Sequence, residues 1–204
     1  MQEARRFRYF SVYKPFGMMS QFSREGERPV LADLGFQFPK DVYPVGRLDA
    51  DSEGLLLLTN DRKQTSALLD PSKAHEREYL VQVEGEVTED ALKSLSSGVL
   101  ISVDGRSYKT NQCVAKKIEE PALLPERLPP VRFRKSIPTS WISISLTEGK
   151  NRQVRKMTAA VGFPTLRLLR CRIGSLDLSS WTPGTVEELD FIEFRKAMTR
   201  RSGD

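Results

Sequence analysis

Histidine and cysteine are scarce in this sequence, and their scarcity disfavours several kinds of active site. The 204 residues include one histidine, His75, and two cysteines, Cys113 and Cys171. A disulfide framework and a cysteine-ligated structural zinc both need more cysteines than this. A Ser-His-Asp triad would have to use His75, and a metal site with several histidine ligands needs more than one imidazole. We therefore expect no metal site, and most hydrolase chemistries are disfavoured.

Long apolar segments are also missing. The longest aliphatic run, Leu55 to Leu58, is far shorter than the roughly 20 residues that a membrane-spanning helix needs. The first ten residues carry three arginines and no apolar core of the kind found in signal peptides. We expect a cytoplasmic protein without membrane association, with flexible basic ends at residues 1–6 and 199–204.

The net charge of +5 is unevenly distributed along the chain. Residues 105–172 contain fifteen Lys and Arg but only four Asp and Glu, whereas the remaining residues contain seventeen and twenty-three. A positive region of this density favours a polyanionic partner such as nucleic acid. A solvated basic face with no partner would give the same pattern, so charge alone does not decide.

Hydrophobic periodicity predicts an α+β fold with a mostly antiparallel sheet. Hydrophobic residues make up 39% of the chain and ten are Phe, enough for a packed core. The predicted strands are 7–12, 42–48, 54–60, 76–84, 99–103, 111–118, 141–146 and most of 166–178. The predicted helices are 30–34, 63–69, 88–95 with Thr88 as N-cap, 151–161 with Asn151 as N-cap, and most of 186–198, and a proline-rich loop is expected at 121–138.

The first segment with chemical potential is Val45-Gly46-Arg47-Leu48-Asp49-Ala50-Asp51-Ser52-Glu53-Gly54. Asp49 is placed at the end of a predicted strand, where a carboxylate can face a cleft while the sheet holds its backbone. The same letters are typical of an ordinary turn in which Arg47 pairs with Asp51.

Two further segments carry clustered basic residues. In 148–157, a helix would place Arg152, Arg155 and Lys156 on one face, suited to phosphate or to a buried carboxylate, or else simply solvated. In 166–174, Arg170 lies on a strand that could face RNA or could be a charged edge strand. Tyr79, in the strand 76–84, is more typical of sheet packing than of base stacking.

Six segments, taken in chain order, resemble one enzyme family over nearly the whole chain. They are Val12-Tyr13-Lys14-Pro15-Phe16-Gly17, Gly46-Arg47-Leu48-Asp49 with its sequel to Asp61, Glu76-Arg77-Glu78-Tyr79-Leu80-Val81, Glu148-Gly149-Lys150-Asn151-Arg152-Gln153-Val154-Arg155-Lys156-Met157, Leu169-Arg170-Cys171-Arg172-Ile173-Gly174, and Pro183-Gly184. This pattern resembles the pseudouridine synthases, in the branch that includes enzymes of the small and large ribosomal subunits.

The resemblance implies a pseudouridine synthase fold, with a mostly antiparallel mixed sheet in two lobes and a central catalytic cleft. It implies that Asp49 is the catalytic carboxylate, that Tyr79 lies against the target uracil and that Arg155 pairs with Asp49. We assign Arg47, Arg152, Lys156 and Arg170 to substrate binding together with Tyr79 and Arg155. Lys14 and Pro15 match the family's early motif without a certain chemical role.

One departure from the family pattern bears on the substrate. Many members carry an N-terminal RNA-binding domain of the S4 type, whereas only about a dozen residues precede Lys14 here. We therefore expect a single catalytic domain over residues 7–198, made of two sub-lobes, in a shortened branch of the family. That branch makes 23S ribosomal RNA of the large subunit the preferred substrate, and we expect a monomer.

The expected reaction requires no cofactor. Isomerising uridine breaks the N1–C1′ bond and forms a C5–C1′ bond, which needs no redox partner, metal or activated donor. A carboxylate can add to C1′ or remove a C2′ proton, and the sequence does not choose between them. Two other hypotheses stay open: a non-catalytic RNA-binding assembly factor, which would not need Asp49, and a glycosidase-like hydrolase with Asp49 and Asp51 as paired carboxylates.

Overall fold

The computed structural model describes residues 7–132, 134 and 136–199. Across these residues the strands are β1 (Tyr9–Lys14), β2 (Tyr43–Pro44), β3 (Glu53–Thr59), β4 (Arg77–Glu84), β5 (Leu100–Val103), β6 (Arg106–Lys109), β7 (Val114–Ile118), β8 (Thr139–Leu146), β9 (Thr165–Ile173), β10 (Leu176–Asp177) and β11 (Val186–Leu189). The α-helices are α1 (Arg62–Leu69), α2 (Glu89–Ser97), α3 (Gln153–Ala160) and α4 (Phe191–Arg195). Short 3₁₀ turns form at Leu31–Leu34, Pro71–Lys73 and Lys196–Met198. The predicted α+β class is confirmed. The flexible ends predicted at 1–6 and 199–204 lie outside the described residues, apart from Thr199.

The chain divides into two compact units, one reaching to His75 and resuming at Arg172, the other covering Glu76–Cys171. In the first unit β1 pairs antiparallel with β11 on one side and β3 on the other, and β2 also pairs antiparallel with β3. All seven residues of β3 are buried, which explains why its sequence is a continuous leucine run rather than an alternation. Rings of Phe10, Phe22, Phe36 and Phe38 pack edge-to-face or tilted at 4.7–5.6 Å and close this core.

In the second unit, strands β9, β4, β8 and β7 are hydrogen-bonded neighbours in that order, and β5 and β6 form a separate antiparallel hairpin. The core of this unit is formed by alternate residues of β4 and β8 together with helices α2 and α3, including Val81, Ile144, Leu95 and Met157. Helix α2 begins after Thr88, whose side chain accepts a hydrogen bond from the Ala91 N–H, so the predicted N-cap is confirmed.

Two predicted elements are wrong. The strand expected at 42–48 is limited to Tyr43–Pro44, because Pro44 has no N–H and Gly46 turns the chain with a φ of +71°. The helix expected at 186–198 begins as strand β11, whose Val186 pairs with Val12. Helix α4 follows only after Asp190, which caps it by accepting the Glu193 N–H. The loop predicted at 121–138 contains no helix or strand in its described residues.

Candidate active site

Asp49 lies in a short connection between β2 and β3, which we call the Asp49 loop (residues 45–52). The loop leaves β2 at Val45, whose N–H still bonds the Leu57 carbonyl at 2.7 Å. Gly46 then adopts a left-handed conformation, and a Cβ at this position would lie 3.1 Å from Leu69 Cδ2. The loop ends in a turn where the Ser52 N–H bonds the Asp49 carbonyl at 3.0 Å. Asp49 is partly exposed, whereas its neighbour Leu48 is buried.

The segment after β1 holds the Asp49 loop on both sides of the carboxylate. The Ser20 hydroxyl donates to the Leu48 carbonyl at 2.8 Å and accepts the Leu48 N–H at 3.0 Å. One residue beyond Asp49, the Ala50 carbonyl accepts the Gly17 N–H at 2.7 Å. The backbone is therefore anchored immediately before and immediately after the predicted catalytic residue.

Lys14 organises the turn that supplies this anchor. It is completely buried, and its ammonium donates to the Pro15 carbonyl at 2.9 Å and the Met18 carbonyl at 2.8 Å. These bonds close the turn that presents the Gly17 N–H. The sequence reasoning gave Lys14 no role, and the structure makes it a support for the loop rather than a surface cation.

Arg47 lies in the Asp49 loop with an exposed side chain. An exposed guanidinium two residues from Asp49 is accessible to an RNA phosphate. Its assignment to substrate binding stays a prediction.

Tyr79 lies on β4 in the second unit, opposite Ile144 of β8. Its ring packs against the core of that unit but stays partly exposed. Sheet packing and contact with a base are thus both compatible with its position, because one face can be covered while another is open. Its predicted contact with uracil stays a prediction.

Arginines cluster beside Tyr79 on the neighbouring strands β4 and β9. Burial, and then the positive charge of Arg170, hold the pKa of Arg77 below its ordinary value, while Tyr79 acts in the opposite direction. Arg170 is only 6% exposed. The arginine of the predicted strand is therefore buried rather than exposed. The assignment of Arg170 to substrate binding stays a prediction.

The basic helix begins later than the sequence suggested. Helix α3 begins at Gln153, and Arg152, not Asn151, occupies the N-cap position in a left-handed conformation without a capping side chain. The predicted face of Arg152, Arg155 and Lys156 is therefore wrong for Arg152, which is exposed ahead of the helix. Arg155 and Lys156 do lie on α3, both partly buried.

A polar network ties the turn before α3 to the neighbouring segments. Glu148 accepts hydrogen bonds from the Tyr108 hydroxyl at 2.6 Å, the Asn111 N–H at 2.8 Å and the Gln153 side-chain amide at 2.5 Å. The Gln153 amide oxygen in turn accepts the Lys150 N–H at 2.9 Å. The sequence reasoning missed this network, although the Glu148 and Gln153 pair flanking the turn is a signal that could have found it.

Arg155 projects from α3 toward the start of β9, where its Nη1 donates to the Thr165 carbonyl at 3.4 Å. Such a backbone bond limits the directions in which the guanidinium can point. The predicted pair of Arg155 with Asp49 joins residues of different units and stays a prediction.

Cys113 is a poor candidate for a reactive thiol. Burial raises the pKa of the Cys113 thiol to about 11, so little of it is thiolate at neutral pH.

Among the described residues, no three His, Cys, Asp or Glu side chains lie close enough to hold a metal ion. No helix in this part of the chain is long and apolar enough to cross a membrane.

Comparison with known proteins supports the resemblance. Residues 8–160 match the family model described as RNA pseudouridylate synthase. The chain is 46% identical to ribosomal large subunit pseudouridine synthase E of Xanthomonas campestris pv. campestris over 84% of this chain and 89% of that protein. It is 45% identical to the protein of the same name from Xanthomonas axonopodis pv. citri over 92% and 97%. A crystal structure of a pseudouridylate synthase is 25% identical, with a TM-score of 0.76 over 94% of this chain and 74% of that one. The predicted fold is thereby confirmed.

Proposed function

Because the chain belongs to the RNA pseudouridylate synthase family, we propose that it isomerises one uridine of 23S ribosomal RNA to pseudouridine. The family makes the chain an RNA-modifying isomerase. The relatives that match over most of both chains are named as large-subunit enzymes, which supports the choice of ribosomal RNA substrate.

The observation that carries the proposal is the fixed backbone around Asp49. Hydrogen bonds from Ser20 and Gly17 hold the residues on both sides of it, while Asp49 itself is partly exposed. A carboxylate that must meet a single carbon of a ribose benefits from such an anchor, because the cost of orienting it is met by the fold. We therefore assign Asp49 as the catalytic carboxylate.

The reaction balances without any other reactant. The N1–C1′ bond breaks, the uracil turns, and a C5–C1′ bond forms, after which C5 loses its proton to solvent and N1 gains one. Asp49 acts either by adding to C1′ or by removing and returning the C2′ proton. Either route uses the carboxylate as the reacting group, and the proposed partner Arg155 would orient it through a charge-assisted hydrogen bond.

The remaining site residues act on binding. Tyr79 lies against the uracil, which must leave its stack at a cost of a few kcal/mol that stacking can offset. The exposed Arg47 and Arg152 contact phosphates, and Lys156 joins them from α3. Arg170, being buried, contributes positive charge beside Arg77 rather than a surface contact.

The proposal extends to the setting in which the protein acts. We also propose that the protein acts on ribosomal RNA in the cytoplasm, without membrane association. We propose a monomer as well, because one chain supplies both Asp49 and the basic residues, so the assigned site requires no second copy. The competing assembly-factor hypothesis shares the RNA contacts but has no use for a fixed carboxylate.

Mapping pseudouridines in large-subunit RNA tests this proposal. RNA from cells lacking the gene, from the same cells carrying the wild-type gene, and from cells carrying Asp49→Asn should be compared site by site. We expect one 23S position to be pseudouridine only with the wild-type gene. Identical maps in all three strains would contradict the proposed function, and restoration by Asp49→Asn would contradict the role of Asp49.

A further inference from the structure

We propose that Ser20 is a positioning residue for Asp49, an inference that rests on the proposed function. Ser20 is 4% exposed, so it has little access to substrate and must act through another group. Its hydroxyl makes two hydrogen bonds to the backbone of Leu48, the residue that immediately precedes Asp49.

The geometry of this contact resists rotation of the loop. One hydroxyl both donates to the Leu48 carbonyl and accepts the Leu48 N–H, at 2.8 and 3.0 Å. The two backbone groups of one residue are thereby fixed together, and neither can turn without breaking a bond. Leu48 is buried, so water is poorly placed to replace the lost partner.

The bond from Gly17 to Ala50 completes the support. It holds the peptide after Asp49, whereas Ser20 holds the residue before it. Loss of the Ser20 bonds would leave the carboxylate anchored on one side only. A catalytic group displaced by about 1 Å can lose on the order of a hundredfold in rate, so we expect the loss to fall on kcat.

The chain offers a closely matched control in Ser140. That hydroxyl is also 4% exposed, accepts the Val87 N–H at 2.8 Å and donates to the Gly85 carbonyl at 2.7 Å. It clamps a turn in the second unit by the same kind of paired bond. Ser140→Ala therefore removes an equivalent interaction without touching the Asp49 loop.

The experiment compares Ser20→Ala, Ser20→Cys and Ser140→Ala in the full chain. Turnover is measured as tritium release from 5-tritiated uridine in 23S transcripts, below the melting temperature of every variant, with RNA affinity measured separately. We expect Ser20→Ala to lower kcat about tenfold to a hundredfold at unchanged RNA affinity. Ser20→Cys should behave similarly, because a thiol fills the space but bonds weakly.

Amide hydrogen exchange gives a second readout that does not depend on activity. Ser20→Ala should accelerate exchange within residues 45–52, whereas Ser140→Ala should accelerate it around Val87. Equal kcat in Ser20→Ala and Ser140→Ala would overturn the proposal, as would unchanged exchange in the Asp49 loop. Recovery of kcat by Ser20→Cys would show that the volume of the side chain matters rather than its hydrogen bonds, and would also overturn the proposal. Wild-type protein without tritium release would refute the proposed function, while faster exchange at 45–52 in Ser20→Ala would still establish the clamp.

Discussion

Gly46→Ala should damage turnover far more than its cost in stability explains. Gly46 has a φ of +71°, and this left-handed region costs a residue with a Cβ about 1–2 kcal/mol. The new methyl group would lie 3.1 Å from Leu69 Cδ2, but that is the far end of a side chain 46% exposed at the end of α1. Leu69 can move aside, so the backbone conformation accounts for most of the cost.

The expected result is a modest loss of stability and a large loss of rate. A cost of this size lowers the melting temperature of a chain this long by roughly 2–8 °C. Any relaxation of the strain shifts the residues that lead directly to Asp49. We therefore expect kcat for tritium release to fall at least about tenfold, since catalytic rates depend steeply on alignment.

Gly35→Ala provides the matched control. Gly35 also has a φ of +71° and follows the 3₁₀ turn Leu31–Leu34, and a Cβ added there would meet no atom within 4 Å. It should lose similar stability and keep its rate. If both variants melt alike and turn over alike, the geometry of the Asp49 loop does not control catalysis and the reasoning fails. The double variant Gly46→Ala/Leu69→Ala should stay slow, because removing Leu69 relieves only the contact.

Two further predictions concern an arginine and a tyrosine. Arg155→Ala should lower kcat more than Arg152→Ala, which should mainly raise the RNA dissociation constant. Arg155→Lys should stay impaired, because lysine lacks the planar guanidinium fork. Wild-type turnover by Arg155→Lys would contradict the proposed pairing of Arg155 with Asp49. Burial, with the hydrogen bond to Asp61, raises the pKa of Tyr9 to about 12. The folded-state pKa thus lies above the unfolded value of about 10, so the Tyr9 contribution is complete below pH 10 and is lost as the pH rises through about 12. Urea unfolding from pH 9 to 12 should show a steeper loss for wild type than for Tyr9→Phe, and parallel curves would contradict this.

Local sequence signals predicted much of the fold. Thr88 and Gly98 bracket α2 as expected, because side-chain capping and a glycine with positive φ at the helix end are encoded within a few residues. The hairpin of β5 and β6 was missed although Asp104-Gly105, with φ values of +49° and +77°, is a strong turn signal. Strand β11 was missed for a different reason: its identity comes from pairing with β1, about 175 residues earlier in the chain.

The site was predictable in its residue types but not in its supports. The resemblance pointed to Asp49, whereas no pattern indicated that Ser20 would bond Leu48, because the two residues are 28 positions apart. The burial of Arg170 was equally hidden, since an arginine on a strand is ordinarily taken as exposed. Such contacts depend on which distant segments of the chain pack together, and local periodicity does not encode that.

The most direct test of the account is tritium release from 5-tritiated 23S transcripts by Asp49→Asn. Asp90→Asn, a change at a side chain that is 95% exposed, controls for the loss of one negative charge. We expect Asp49→Asn to bind the RNA with nearly wild-type affinity and to release no measurable tritium, while Asp90→Asn matches wild type. Turnover by Asp49→Asn within tenfold of wild type, equivalent to about 1.4 kcal/mol of transition-state stabilisation, would contradict the assignment of Asp49 as the catalytic carboxylate.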